Sequence, residues 1–182
     1  MNDTLAAAIT DRLVAHARHR TKDTGLTVGQ RPTSDYTDPA RYELEMQALF
    51  RELPIVVAHS SQIPNPGDFL TDDRLGVPLL LSRTSEGRVV AHLNVCPHRG
   101  AIVETSRCGH RTHFECPYHS WMFGLDGGLM RMTDAGSFAG LAPEPAGLRG
   151  VAVAEKYGLI FVRLSPGEPI DLFAGGLHPM PA

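Results

Sequence analysis

A chain of 182 residues, 42% hydrophobic and 20% charged, is long enough to bury one sizeable core and lacks the composition of a disordered, collagen-like or coiled-coil protein. With 17 Lys and Arg against 20 Asp and Glu, the formal net charge is -3, which gives no general attraction to nucleic acid or to an anionic membrane. Three cysteines, Cys96, Cys108 and Cys116, cannot all pair, and in a reducing compartment such residues point to metal binding more often than to disulfides.

The first twenty residues carry Asp3 and Asp11 and no uninterrupted apolar run, so they do not read as a signal peptide. No segment approaches the ~18 consecutive apolar residues of a membrane span. A soluble, cytoplasmic protein without nucleic-acid or membrane partners is expected. Leu5, Ile9 and Leu13 form one stripe of a first helix over residues 3–19. Within it His16 and His19 stand at i, i+3 beside Arg18 and Arg20 with no acidic residue close by in sequence, which predicts a solvated basic helix end. A polar stretch interrupted by Gly and Pro, 21–35, reads as a loop.

Thr37-Asp38-Pro39 then supplies a cap and an N1 proline for a second helix that should end before Pro54. Its Tyr42, Met46, Leu49 and Phe50 have the spacing of a core-facing stripe. Beyond Pro54 the pattern changes to short β-rich runs at 55–58, 68–71, 77–82, 88–95, 112–116, 121–124, 129–132, 151–155 and 159–164. Tight turns are expected at Ser85-Glu86-Gly87, Asp126-Gly127-Gly128 and Lys156-Tyr157-Gly158. The fold class is therefore mainly β, an antiparallel sandwich or barrel preceded by two N-terminal helices.

Two short segments carry the chemistry: Cys96-Pro97-His98-Arg99-Gly100 and Cys116-Pro117-Tyr118-His119-Ser120-Trp121, with 17 residues between His98 and Cys116. Each supplies one thiolate and one imidazole from a turn after a β run, and the intervening chain is long enough for both turns to project from one end of a small sheet. Such a four-ligand set suits an iron–sulfur cluster, and a structural zinc ion uses the same residue types. Cys108-Gly109-His110 is a competing C-x-H pair, but it lies too close to Cys116 to form an opposed loop. Cys108 reads as a buried or idle thiol, and His110 and His113 as ordinary loop or strand residues.

These segments resemble the Rieske family, and within it the N-terminal domain of ring-hydroxylating (Rieske non-haem iron) oxygenase large subunits. The likeness extends to Tyr36-Thr37-Asp38-Pro39 with Glu45 and Phe50, and to Pro64-Asn65-Pro66-Gly67-Asp68 and Asn94-Val95, covering roughly residues 30 to 175. Leu53-Pro54 departs from it where many relatives carry a tryptophan. The resemblance implies a Rieske β-sandwich over 51–165 with a cluster-binding subdomain at about 94–124. Around it lie a helical extension at 1–50 and, at 166–182, a tail or the start of a linker to a catalytic domain.

It further implies one 2Fe-2S cluster with one iron held by Cys96 and Cys116 and the other by His98 and His119. Neutral imidazoles in place of two thiolates leave such a site less negative and easier to reduce. Around it Arg99, Gly100, Tyr118 and Trp121 are expected. Gly100 would let backbone N–H groups approach the sulfides, Tyr118 would offer a hydroxyl to a sulfur, and Trp121 would either pack in the core or shield the His-bound iron.

Respiratory members of the family add a disulfide beside the cluster; here Tyr118, Gly100 and Ala101 stand where its cysteines would be. Oxygenases of the family carry a mononuclear iron held by two His and a carboxylate, yet after His119 this chain has only His178, so that site lies outside these residues. The implied role is an electron-entry domain, taking single electrons from a reductase or ferredoxin and passing them to a catalytic iron domain in cis or in a neighbouring subunit, with a homotrimer as a family expectation. A free-standing Rieske ferredoxin and a zinc-stabilised interaction module are the alternatives.

Overall fold

The computed structural model describes residues 3–23, 29–133, 136, 147–165 and 169–171. It separates into two compact units, Met1–Asp38 and Pro39–Ala182.

In the first unit, helix α1 spans Asp3–His19 and carries His16, Arg18 and His19 in its last turn, where cations complement the helix dipole. Leu5, Ile9 and Leu13 are exposed, so the periodic stripe does not face a core among the described residues. After the helix Arg20 adopts φ +53 and the Thr21 N–H donates to the His16 carbonyl at 3.1 Å, turning the chain back. That reversal brings Asp23 within 3.1 Å of His16 Nε2 and 2.6 Å of the Arg12 guanidinium. His16 therefore has an acidic partner, which the sequence spacing concealed. A one-turn helix α2, Ser34–Thr37, overlaps the end of the stretch read as a loop.

In the second unit, α3 (Pro39–Glu45) begins at the proline and continues as a π-helical turn, Met46–Arg51, ending ahead of Pro54. The expected inward stripe fails here: Tyr42, Leu49 and Phe50 are all exposed. The widened i→i+5 pitch from Met46 onward breaks the 3.6-residue register that would have aligned them.

Among the described residues ten strands follow: β1 Ile55–His59, β2 Asp68–Asp72, β3 Leu79–Arg83, β4 Val89–Leu93, β5 Cys108–His110, β6 Phe114–Glu115, β7 Met122–Phe123, β8 Leu129–Arg131, β9 Gly150–Lys156 and β10 Leu159–Arg163. Their pairings are all antiparallel, in a seven-stranded sheet ordered β1-β10-β9-β4-β3-β2-β5 and a three-stranded sheet ordered β6-β7-β8. The mainly β, antiparallel expectation holds. β5 has no counterpart among the expected runs, and the run expected at 112–116 contracts to β6.

One apolar core, built on Ile63, Leu79, Leu81, Ile160 and Val162, lies within the large sheet. A second gathers Phe69, Leu80, Val103, Phe114, Phe123 and Trp121 around Cys96 and Cys116. Buried Arg83 steadies the first: its guanidinium donates to the carbonyls of Ile63 and Gly87 and to both carboxylate oxygens of Glu155. The second core joins the two sheets. The first ligand loop emerges from β4 of the large sheet, and the second is the turn of the β6–β7 hairpin.

Candidate metal centre

The two ligand loops share one backbone shape. In the first, the Cys96 N–H donates to Ala101 O at 2.8 Å and the Gly100 N–H to Cys96 O at 2.9 Å; in the second, the Cys116 N–H donates to Trp121 O at 2.8 Å and the Ser120 N–H to Cys116 O at 2.9 Å. The fifth residue of each is left-handed, Gly100 at φ +75 and Ser120 at φ +53. A Cβ on Gly100 would meet no protein atom within 4 Å, so among its protein neighbours the glycine answers to backbone conformation and not to crowding. Ser120 holds the same conformation against the steric preference of an L-residue.

This geometry brings all four predicted ligands to one tip, as two like pairs. Cys96 and Cys116 are 1% and 2% exposed and interact through their side chains. Burial, chiefly, pushes the Cys96 thiol up, with the Cys116 thiol acting the same way, while the N–H groups of His98 and Arg99 directed at the sulfur oppose it. The imidazoles of His98 and His119 lie 4.6 Å apart between ring centroids. Desolvation first, then the charges of His119 and Arg99, lower the pKa of His98.

His119 Nδ1 is buried without a hydrogen-bond partner, a costly state for a ring nitrogen unless something else occupies its lone pair. Its loop is held from below by the Thr133 hydroxyl, which donates to His119 O at 2.6 Å. Trp121 is 2% exposed. It belongs to the apolar core and stacks on His98 at 4.8 Å with the rings 4° from parallel. Tyr118 is 59% exposed and its ring packs at 3.8 Å on that of His119. Arg99 is exposed.

The competing pair is elsewhere. Cys108 is exposed, not buried, on the edge strand β5, and His110 Nδ1 pairs with Asp68 Oδ1 at 3.1 Å. His113 contacts Thr112. A groove of about 1070 Å³ runs past Cys108 and the base of the first loop, lined by Leu70, Asp72, Arg74, Asn94 and Glu104 among others, and none of the four tip ligands lines it. Among the described residues no three His, Cys, Asp or Glu side chains converge as ligands of one metal ion. No described helix is long and apolar enough to cross a membrane.

Residues 54–142 match the family model of the Rieske [2Fe-2S] domain. This chain carries a Rieske 2Fe-2S domain. Such a domain binds one 2Fe-2S cluster, and the buried thiol pair with the orphaned imidazole nitrogen fits that donor demand.

Relatives of the domain are oxygenase large subunits. The chain is 34% identical over 130 residues to the anthranilate 1,2-dioxygenase large subunit of Acinetobacter baylyi, covering 71% of this chain and 28% of that protein. It is 33% identical over 135 residues to the carnitine monooxygenase oxygenase subunit of Escherichia coli, covering 74% and 36%. A solved quaternary ammonium Rieske monooxygenase, described for carnitine oxidation and inter-subunit electron transfer, superposes with a TM-score of 0.68 at 31% identity over 74% of this chain and 37% of that one. The chain thus spans only 28–37% of these relatives. What sequence reading missed around the Rieske tip is the supporting frame, Ser120, Thr133 and the Asn94–Glu104 pair. For Ser120 a signal existed, since it sits four residues after Cys116 as Gly100 does after Cys96.

Proposed function

We propose that Cys96, His98, Cys116 and His119 hold the cluster, the thiolates on one iron and the imidazoles on the other, and that the domain is the electron-entry module of an oxygenase. The observation that carries this reading is the sorting of the four side chains at one tip into a buried thiol pair and an imidazole pair, with His119 Nδ1 lacking any protein partner. When bound, the cluster supplies reversible acceptance of one electron, at a potential raised by its two neutral ligands.

The residues around it do the remaining work. Trp121 covers one face of His98 and keeps water from it. Tyr118 braces His119 from the solvent side. Arg99, exposed within the first loop, offers a cation to an approaching partner. With Nδ1 of His119 committed to iron, its other ring nitrogen is left to meet a group of the protein that receives the electron.

The donor in this reading is a reductase or ferredoxin. The acceptor is a mononuclear iron centre in a catalytic domain, in cis or on a neighbouring subunit of a homotrimer, a reading supported by relatives that are oxygenase subunits longer than this chain. Ultraviolet–visible absorption and EPR of the reduced protein test the ligand set. His98→Ala and His119→Ala are expected to abolish the Rieske spectrum and Cys108→Ser to leave it intact. A colourless protein holding stoichiometric zinc, or loss of the cluster in the Cys108 variant, would overturn the assignment. Stopped-flow mixing with a reduced ferredoxin tests the relay, which requires single-electron reduction of the bound cluster.

A further inference from the structure

The two ligand loops are closed by different devices. The second is sealed by main-chain pairing, Phe114 with Phe123 and Glu115 with Met122, directly below the Cys116–Trp121 rung. The first has a single bridge below its Cys96–Ala101 rung, Val95 with Ile102. One step further down, main-chain pairing stops, because the Asn94 N–H is committed to Pro78 O at 2.9 Å in the large sheet.

The missing rung is replaced by a side chain. The Asn94 carboxamide donates from Nδ2 to Glu104 O at 2.7 Å and accepts the Glu104 N–H on Oδ1 at 2.9 Å. A carboxamide has the donor and acceptor of one peptide unit, so this is a strand rung made by a residue whose own backbone belongs to the neighbouring sheet. Asn94 is 3% exposed and Glu104 8%, so neither backbone group of Glu104 has water to fall back on.

The clamp continues toward the second loop. Glu104 accepts the Ser106 N–H on Oε1 at 2.8 Å and Arg111 Nε on Oε2 at 3.0 Å. The Arg111 guanidinium lies 5.2 Å from the Phe69 ring centroid, and Phe69 meets Phe114 edge-on at 5.6 Å. Phe114 stands two residues before Cys116 in β6. A chain of side-chain contacts therefore runs from the foot of the first loop to the foot of the second.

We infer that Asn94 is a positioning residue for the cluster: its carboxamide, seconded by the Glu104–Arg111 pair, sets the separation of Cys96 and His98 from Cys116 and His119. The inference rests on the reading that these four residues are the ligands. It concerns how the site is spaced, a role no ligand motif reveals. Loss of the clamp frees the return leg of the first loop while leaving every ligand in the chain, so the effect should fall on cluster retention and electronic structure before it falls on the fold.

The test uses the full chain with its cluster and compares Asn94→Ala with the wild type. The readouts are iron and sulfide per chain, the rate of bleaching by a chelator, the EPR g-values and the midpoint potential. Gly87→Ala, at a distant turn, serves as a control of comparable thermal cost. The Asn94→Ala variant is expected to bleach on the order of tenfold faster or more, with broadened or displaced EPR features and a shifted potential, while the control keeps wild-type values for all three.

Asn94→Gln keeps the donor and acceptor but displaces them by one methylene, so it should show the same changes in lesser degree. It carries the test if the alanine variant does not accumulate folded. Wild-type EPR, potential and bleaching rate in the Asn94 variants would overturn the inference. A wild-type chain without a Rieske spectrum would instead overturn the ligand reading beneath it.

Discussion

Gly127 lies where the small sheet leans on the large one, and replacing it with alanine tests whether that contact is tight. The residue has φ +81, and an added Cβ would sit 2.2 Å from His92 Nε2 and 2.6 Å from both Cδ2 and Cε1. His92 cannot swing clear, since it is 7% exposed. Two costs therefore add. The left-handed conformation costs a non-glycine residue about 1–2 kcal/mol, and forcing a methyl into a packed contact costs about 1–3 kcal/mol. The expected loss is about 2–5 kcal/mol, or roughly 4–20 °C in Tm for a chain of this size.

Gly87→Ala isolates the first cost, because Gly87 has φ +79 and nothing within 4 Å of its would-be Cβ; it should lose only about 1–2 kcal/mol. Urea denaturation followed by far-UV circular dichroism measures both. A double-mutant cycle with His92→Ala supplies the decisive comparison, since removing the ring should return about 1–3 kcal/mol of the Gly127→Ala loss as coupling. Gly127→Ala costing no more than Gly87→Ala, or a cycle with no coupling, would refute the claim that the β7–β8 turn is seated on the His92 ring.

The same histidine predicts a pH dependence. Burial, partly offset by the bond to the Asp126 backbone and the Asp126 charge, holds the pKa of His92 below its ordinary 6.5, so below that pH the unfolded chain takes up a proton that the folded chain refuses. Stability should be fully present above about pH 6.5 and decline as pH falls below it; a wild-type urea midpoint no more acid-sensitive than that of His92→Gln would contradict this. Ser120→Gly should relieve about 1–2 kcal/mol of left-handed strain against about 0.5–1 kcal/mol of glycine entropy, for a net gain of up to about 1.5 kcal/mol; a lower urea midpoint would show that the serine hydroxyl contributes something the backbone argument omits. Glu155→Ala leaves the buried Arg83 guanidinium without its bidentate partner, and because Glu155 is 31% exposed the loss should fall near or below the low end of the ~3–5 kcal/mol seen when fully buried pairs are broken. A Tm within one degree of wild type would mean that water replaces the carboxylate.

The parts legible in the sequence were those with a local cause. The tight turns, most of the strands and the two ligand loops each follow from residues adjacent in the chain, such as Asp126-Gly127-Gly128 or Cys116-Pro117-Tyr118-His119. What escaped has causes distant in sequence. β5 is three exposed residues, Cys108-Gly109-His110, with no alternating pattern; it is a strand because Asp68, Phe69 and Leu70 offer it partners. The acidic partner of His16 arrives through a chain reversal that no periodicity encodes. The stripe Tyr42, Leu49 and Phe50 presumes 3.6 residues per turn, but from Met46 onward the segment adopts a π pitch.

The same division applies inside the site. The proposed ligands are legible because an iron–sulfur site calls for particular side chains at short spacing, and the matching αL positions of Gly100 and Ser120 show that both loops solve one backbone problem. Their placement relative to each other is a different problem, since the first loop grows from β4 of the large sheet and the second from the small sheet. It is solved by residues that are not ligands: Ser82 donating to Leu125 O at 2.6 Å, His92 against Gly127, Phe69 against Phe114, and Asn94 clamping Glu104. Three of these contacts join residues more than thirty positions apart and the fourth bridges ten, so none shows in a local pattern. A cluster held by the proposed ligands would be shared between two sheets and only as well positioned as the contacts between them, so variants outside the Cys-x-His and Cys-x-x-His motifs test its spacing.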